Sequence, residues 1–183
     1  MELYIARHIN FAFSSEQEMT EHYRSLGINY PKFFKMDALS KMGFLAAEEL
    51  LQGGDSKEET AVVCFTGAAS LQTDIEYQKK IQNKDEFFPS PSVFVYTLPN
   101  IVLGEIAIRH GLHAETSCYI MDSADAEMMV KTICRLFADA DEVSQVLVAW
   151  INQHGRGEVS MALVGRKGNI LFCEKALNEI IKH

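Results

Sequence analysis

TAVVCFT, residues 60–66, is the stretch whose reading decides the fold. Its centre, Ala61 to Phe65, is continuously apolar, so a strand here has no face that it can turn to water. A strand buried on both sides belongs to a sheet with helices above and below it, which is the habit of mainly parallel sheets. Gly67 follows at once and ends the run.

The flanking segments supply those helices. From Asp37 to Leu51, the residues Leu39, Met42, Leu45, Ala46 and Leu50 recur at three- and four-residue intervals, which places them on one helical face, with Asp37 as the cap. Further upstream, Glu2 to Phe13 mixes alternation with aromatic and β-branched residues, as a strand does, and Glu16 to Leu26 reads as a short polar helix. Pro31 restricts the chain between these helices, and QGGDSKEET (52–60) reads as a surface loop.

Downstream, Ser70 to Ile81 reads as an amphipathic helix, and the two prolines of DEFFPSPSVF (85–94) predict an ordered loop. Asn100 to His110 follows Pro99 and stops at Gly111, the pattern of a helix with a defined start and a left-handed end. Ser117 to Met121 resembles a short buried strand, and either Asp122 or Ser123 is expected to cap the helix that runs to about Phe137. VSQVLVAWI (143–151) and EVSMALV (158–164) read as further strands, followed by a turn around Gly165 to Gly168, a strand ILFC (170–173) and a closing helical turn or two. Gly155 and Gly157 make a lone GxG, which is read as a hairpin turn because no strand-to-helix GxGxxG surrounds it. Alternation of strands and helices implies a single α/β domain across residues 1–183.

Composition narrows the function classes. A formal charge of −8 opposes a phosphate backbone, so no nucleic-acid partner is expected. Cys64, Cys118, Cys134 and Cys173 are far apart and form no CxxC pair or Cys/His cluster, so no metal site is expected and free thiols in a reducing compartment fit. No cofactor is expected either. MELYIARHIN lacks a basic start with an apolar run behind it, and no apolar stretch approaches the roughly 20 residues of a membrane span. The expectation is a cytoplasmic protein.

Three segments in order carry a resemblance: KMDALSKMGFLAAEELL (35–51), VVCFTGAASLQTDIEY (62–77) and FFPSPSVFVYTLPNIVLGEIAIRHGL (87–112). Together they resemble the amino-terminal half of β-ketoacyl-acyl-carrier-protein synthases, the ketosynthases of the thiolase-like condensing enzymes. In that family a methionine–aspartate helix precedes a strand, a glycine turn and a Pro–Asn helix. The resemblance implies an α/β, thiolase-like half with a mixed, mainly parallel five-stranded sheet and helices on both faces.

In those enzymes the Pro–Asn helix leads through a strand to a nucleophilic cysteine at the start of a long helix. A thiol there feels the positive end of the helix dipole and nearby amide donors, which favour thiolate and stabilise an oxyanion. The matching segment here is GLHAETSCYIMDSADAEMMVKTICRLF (111–137), and the resemblance puts the nucleophile position near Asp122 or Ser123, neither of which is cysteine. Cys118 lies upstream, within the strand, where it is read as a core cysteine. Ser123 is read as a cap, since a serine nucleophile needs an adjacent base. The family's second half supplies two histidines, and no such half is expected within these 183 residues. His110 and His113 are read as solvated or capping, and His8, His22, His154 and His183 show no motif.

Three functions follow from these readings. The first is a non-catalytic synthase-like protein, similar to the short synthase-like proteins and chain-length factors of aryl-polyene and polyketide pathways. It would form a homodimer, or a heterodimer with a condensing enzyme, through the strand Thr116, Ser117, Cys118, Tyr119, Ile120 and Met121. The second is an active β-ketoacyl synthase or acyltransferase that uses Cys118 or Ser123 and takes its missing histidines from a partner. The third is a module that binds an acyl chain or an acyl carrier protein. Phe87 to Tyr96 would line its groove, unless Phe87, Phe88 and Phe94 pack into the core, and Lys79, Lys80 and Lys84 would dock an acidic carrier.

Overall fold

The computed structural model describes residues 2–52, 58–82, 89–154 and 156–181. Strand β1 (Tyr4–Phe13) is followed by helix α1 (Glu16–Ser25), a short 3-10 helix (Pro31–Lys35) and helix α2 (Ala38–Leu50). Strand β2 (Thr60–Thr66), helices α3 (Leu71–Ile81), α4 (Pro91–Val95) and α5 (Ile101–His110), and strand β3 (Thr116–Ile120) come next. Helix α6 (Ala126–Asp139), strands β4 (Gln145–His154), β5 (Arg156–Gly165) and β6 (Ile170–Leu171), and helix α7 (Glu174–Ile181) complete the chain.

The strands form one mixed sheet in the order β3-β2-β4-β5-β1-β6. As expected, β2 is a buried interior strand, and it runs parallel to both neighbours, pairing Val63 with Ser117 on one side and with Val148 on the other. Two details differ from expectation. The sheet has six strands, because β6 adds a short edge to β1, and three of its five pairings are antiparallel: β4 with β5, β5 with β1, and β1 with β6. The hairpin at the end of β4 reverses the chain, with Gln153 facing Gly157, while β1, the first strand of the chain, lies between β5 and β6 and pairs antiparallel with both.

Alternation along the strands sorts the core into two layers. Val62, Cys64, Leu147, Ala149 and Ile151 point toward α1, α2 and α5, while Ala61, Val63, Phe65, Val146, Val148 and Trp150 point toward α6 and α7. Helices therefore cover both faces, which is why all seven residues of β2 are buried. Helix α2 is buried nearly all round because it lies between the sheet and α5. Gly43 makes that approach possible: a Cβ there would collide with Val102 Cγ2 on α5 and come within 3.0 Å of Ile151 Cδ1 on β4.

The expected helix ends hold at α2, where the Asp37 carboxylate accepts the Ser40 amide at 3.0 Å, and at α5, where Gly111 has φ of 64°. Two do not. The expected loop across residues 85–94 contains helix α4, capped by Ser90 with Pro91 in its first turn, since proline is excluded from a helix interior but suits its start. Residues 83–88 of that segment lie outside the described residues. Helix α6 begins at Ala126 and is capped by Asp125, whose carboxylate accepts the Met128 amide, so neither Asp122 nor Ser123 caps it.

No helix among the described residues is long and apolar enough to cross a membrane.

Candidate functional site

The carboxyl ends of β2, β3 and β4 meet at one end of the sheet, and the loops that leave them build the candidate site. In open α/β sheets, ligands gather where neighbouring strands send their connections in different directions. After β2 the chain turns through Gly67, Ala68 and Ala69. The Ala68 amide donates to Asn152 Oδ1 on β4 at 2.8 Å, and the Ala69 amide donates to Thr66 Oγ1 at 3.0 Å. Ala69 is held at φ of 50°, a left-handed conformation that an alanine adopts only when its surroundings impose it. Asn152 thus ties the β2 turn to β4, and two amides that face this end of the sheet already have acceptors.

Strand β3 is the edge of the sheet, bonded to β2 alone. Tyr119 stacks on Phe65 at 5.1 Å over one face, whereas Cys118 packs against the core layer under α2 and α5. The Cys118 thiol is half-buried and donates weakly to the Pro99 carbonyl, with sulfur and oxygen 3.7 Å apart. It stands in mid-strand, away from any helix start. Hydrogen bonding from Cys64 draws its pKa below the ordinary thiol value while burial opposes that, and Cys64 is pushed up by the same contact and by full burial. Ile120, at the end of the strand, is 62% exposed.

Between β3 and α6, Met121 donates its amide to the Thr66 carbonyl, and Asp122 and Ser123 then sit exposed in a bend. Ser123 therefore lies ahead of the helix, and the Asp125 carboxylate accepts the Met128 amide in the first turn of α6. The carboxylate of a cap also satisfies the positive end of the helix dipole.

A cavity of about 490 Å³ opens near the same end, between α2, α3 and α4 and the tip of β4. Asp37, Thr73, Tyr96 and Gln153 form its polar wall, with Lys35 and Lys80 among the cations and Glu16 and Glu76 among the anions. The Thr73 hydroxyl donates to Asp37 Oδ2 at 3.2 Å. Burial holds the Asp37 carboxyl above its ordinary pKa, against the hydrogen bonds from Ser40 and Thr73 and the charge of Lys41. Tyr96 donates to the buried Glu105 at 3.0 Å, and burial together with that carboxylate pushes its phenol up, so it stays a donor.

The sequence-predicted residues separate in space. Lys80 lines the cavity, Lys79 beside it on α3 is exposed, and Lys84 lies outside the described residues. Of the aromatic stretch, Phe87 and Phe88 lie outside the described residues. Phe94 is 51% exposed, resting against Tyr77 instead of entering the core, while Val93 and Tyr96 line the cavity. His110 is largely shielded from solvent: it lies beside Glu48, with Nε2 3.5 Å from the carboxylate. His22 pairs with Glu49 at 2.7 Å. Lys35, Thr73 and Asn152 were missed as site residues, because they come from separate elements and share no motif; only the cap position of Asp37 marked this region in the sequence.

The structure superimposes on the ishigamide ketosynthase/chain length factor with a TM-score of 0.72, at 15% identity, over 91% of this chain. The fold is that of the ketosynthase and chain length factor proteins. The chain spans 62% of that protein's length. A ketosynthase in complex with its chain length factor from Xenorhabdus doucetiae matches with a TM-score of 0.66 at 12% identity, over 92% of this chain and 81% of the other. A chain from a type II polyketide acyl-carrier protein in complex with its ketosynthase bound to the hexaketide matches with a TM-score of 0.62 at 10% identity, over 97% and 64%. No protein-family model and no curated protein sequence matches the chain. The ketosynthase-like fold is therefore carried by backbone architecture and buried pattern, with few shared side chains.

Proposed function

We propose that this chain is a non-catalytic, ketosynthase-like accessory subunit that pairs, through strand β3, with a second copy or with a condensing enzyme of acyl, polyene or polyketide assembly. One observation carries the reading: the open edge strand β3 runs into a helix start that bears the Asp125 carboxylate and no thiol. A ketosynthase needs a nucleophile with free amide donors at that start. Here Cys118 faces the core, Ser123 lies in the bend before the helix, and the Asn152 link occupies a neighbouring amide. An exposed edge, in contrast, is a template for pairing with another chain. The solved complexes named above, in which a ketosynthase is joined to a chain length factor or an acyl-carrier protein, support the same reading. An acidic acyl carrier protein would approach by Lys79 and Lys80. The four free cysteines suit a cytoplasmic setting.

Native mass spectrometry of the full chain, alone and with a ketosynthase co-expressed from the same organism, tests the pairing. A dimer or a one-to-one complex is expected, and Ile120→Lys should weaken it at least tenfold, because a charge on an edge strand opposes strand addition. A monomer that binds no ketosynthase would overturn the partner role. Incubation with acyl-carrier-protein thioesters should leave the chain unmodified; a covalent acyl adduct on Cys118 or Ser123 would overturn the non-catalytic role.

A further inference from the structure

The sheet places two thiols side by side. Cys64 on β2 and Cys118 on β3 are direct register partners in a parallel pair. Adjacent strands lie about 4.8 Å apart, inside the window of roughly 4.4–6.8 Å between Cα atoms that a disulfide can span. Register partners on neighbouring strands project to the same face of a sheet. Both do so here: Cys64 belongs to the core layer under α2 and α5, and Cys118 packs against that layer. The remaining cysteines have no such arrangement. Cys134 lies on α6 across the sheet, and Cys173 precedes α7.

We propose that Cys64 and Cys118 form a redox couple, which a two-electron oxidant of the peroxide class closes to a disulfide between β2 and β3. The inference does not rest on the functional reading above. Cys118 reacts first, because it is half-buried on the edge strand whereas Cys64 is wholly buried. Its thiolate attacks the peroxide oxygen, the O–O bond breaks to give a sulfenic acid and hydroxide, and the hydroxide takes up the proton the Cys118 thiol released, leaving as one water. The Cys64 sulfur then attacks the Cys118 sulfur, the S–O bond breaks, and a second water leaves with the Cys64 proton. Two thiols have lost two electrons and two protons, and hydrogen peroxide has become two waters. The contact between the thiols, which draws the Cys118 pKa down, favours the first step. The bond would hold β3, which β2 alone secures in the sheet, at a second covalent point.

The test is hydrogen peroxide treatment of the folded full-length chain, followed by denaturation, alkylation of free thiols and mass spectrometry. The expected product has two alkylated cysteines, Cys134 and Cys173, in place of four, and its proteolytic digest contains one linked peptide joining Cys64 to Cys118. Dithiothreitol should restore four. Cys118→Ser should abolish the link and leave Cys64 reduced, and a variant carrying Cys134→Ala and Cys173→Ala should still form it. Four free thiols after treatment, a Cys118 sulfinic acid with Cys64 reduced, or a link that involves Cys134 or Cys173 would each overturn the proposal.

Discussion

Arg109 on α5 closes on Glu48 on α2 as a fork, with Nε on Oε1 and Nη2 on Oε2 at 3.2 Å. Glu48 is only 7% exposed, so its charge depends on this partner, and Arg109 also lies over the Tyr30 ring at 5.2 Å. Breaking a buried pair by removing one side leaves an uncompensated charge. Arg109→Ala should therefore cost about 3 kcal/mol in urea unfolding, the low end for such pairs because the guanidinium is partly solvated. Replacing both residues, as Glu48→Gln with Arg109→Met, should cost less than the single change.

His110 adds a pH dependence to the same cluster. Burial lowers its pKa below the ordinary 6.5, Glu48 works against that shift, and Arg109 adds to it. Below pH 6.5 the unfolded chain takes up a proton that the folded chain refuses, so the unfolded state gains. Stability contributed by neutral His110 is full above that value and is lost as the pH falls. The urea midpoint should drop between pH 7.5 and pH 5.5, and His110→Gln should flatten that part of the profile.

At the start of α6 the cap is Asp125, a residue the sequence reading passed over in favour of Asp122 or Ser123. Asp125→Ala removes the acceptor of the Met128 amide and should cost about 1 kcal/mol, the usual worth of a helix cap. Ser123→Ala, two residues earlier in an exposed bend, should change stability by less than about 0.5 kcal/mol. Thermal unfolding of the two variants measures both.

At Gly43 the expected defect is overpacking. Gly43→Ala would drive a methyl group into Val102 and Ile151, with an expected cost of about 1–3 kcal/mol. Alanine's better helix propensity recovers at most about 1 kcal/mol of that. On a Val102→Ala background the same substitution should cost less, because the two sites share one volume.

The elements were largely legible in the sequence, because burial writes itself as period. The unbroken apolar run of Ala61–Phe65 announced an interior strand, the spacing from Leu39 to Leu50 announced a packed helix, and Gly111 announced the end of α5. Each of these is a local rule about which side chains can face water. The start of α6 was less legible, since Asp122, Ser123 and Asp125 are all competent caps and only the path of the chain out of β3 selects the last. The reversal from β4 to β5 was read from the lone GxG, but the place of β1 between β5 and β6 was not, because an apolar strand reads the same in either direction.

By itself, then, the sequence determined a layered α/β chain and the order of most of its strands and helices. Tertiary structure alone decided which residues meet: Cys64 beside Cys118, Arg109 on Glu48, and Asn152 across the β2 turn. The physical reason is distance along the chain. Burial is a property of each residue and its near neighbours, whereas these contacts join positions 54, 61 and 84 residues apart, and only the register of the folded sheet and the packing of its helices fix them.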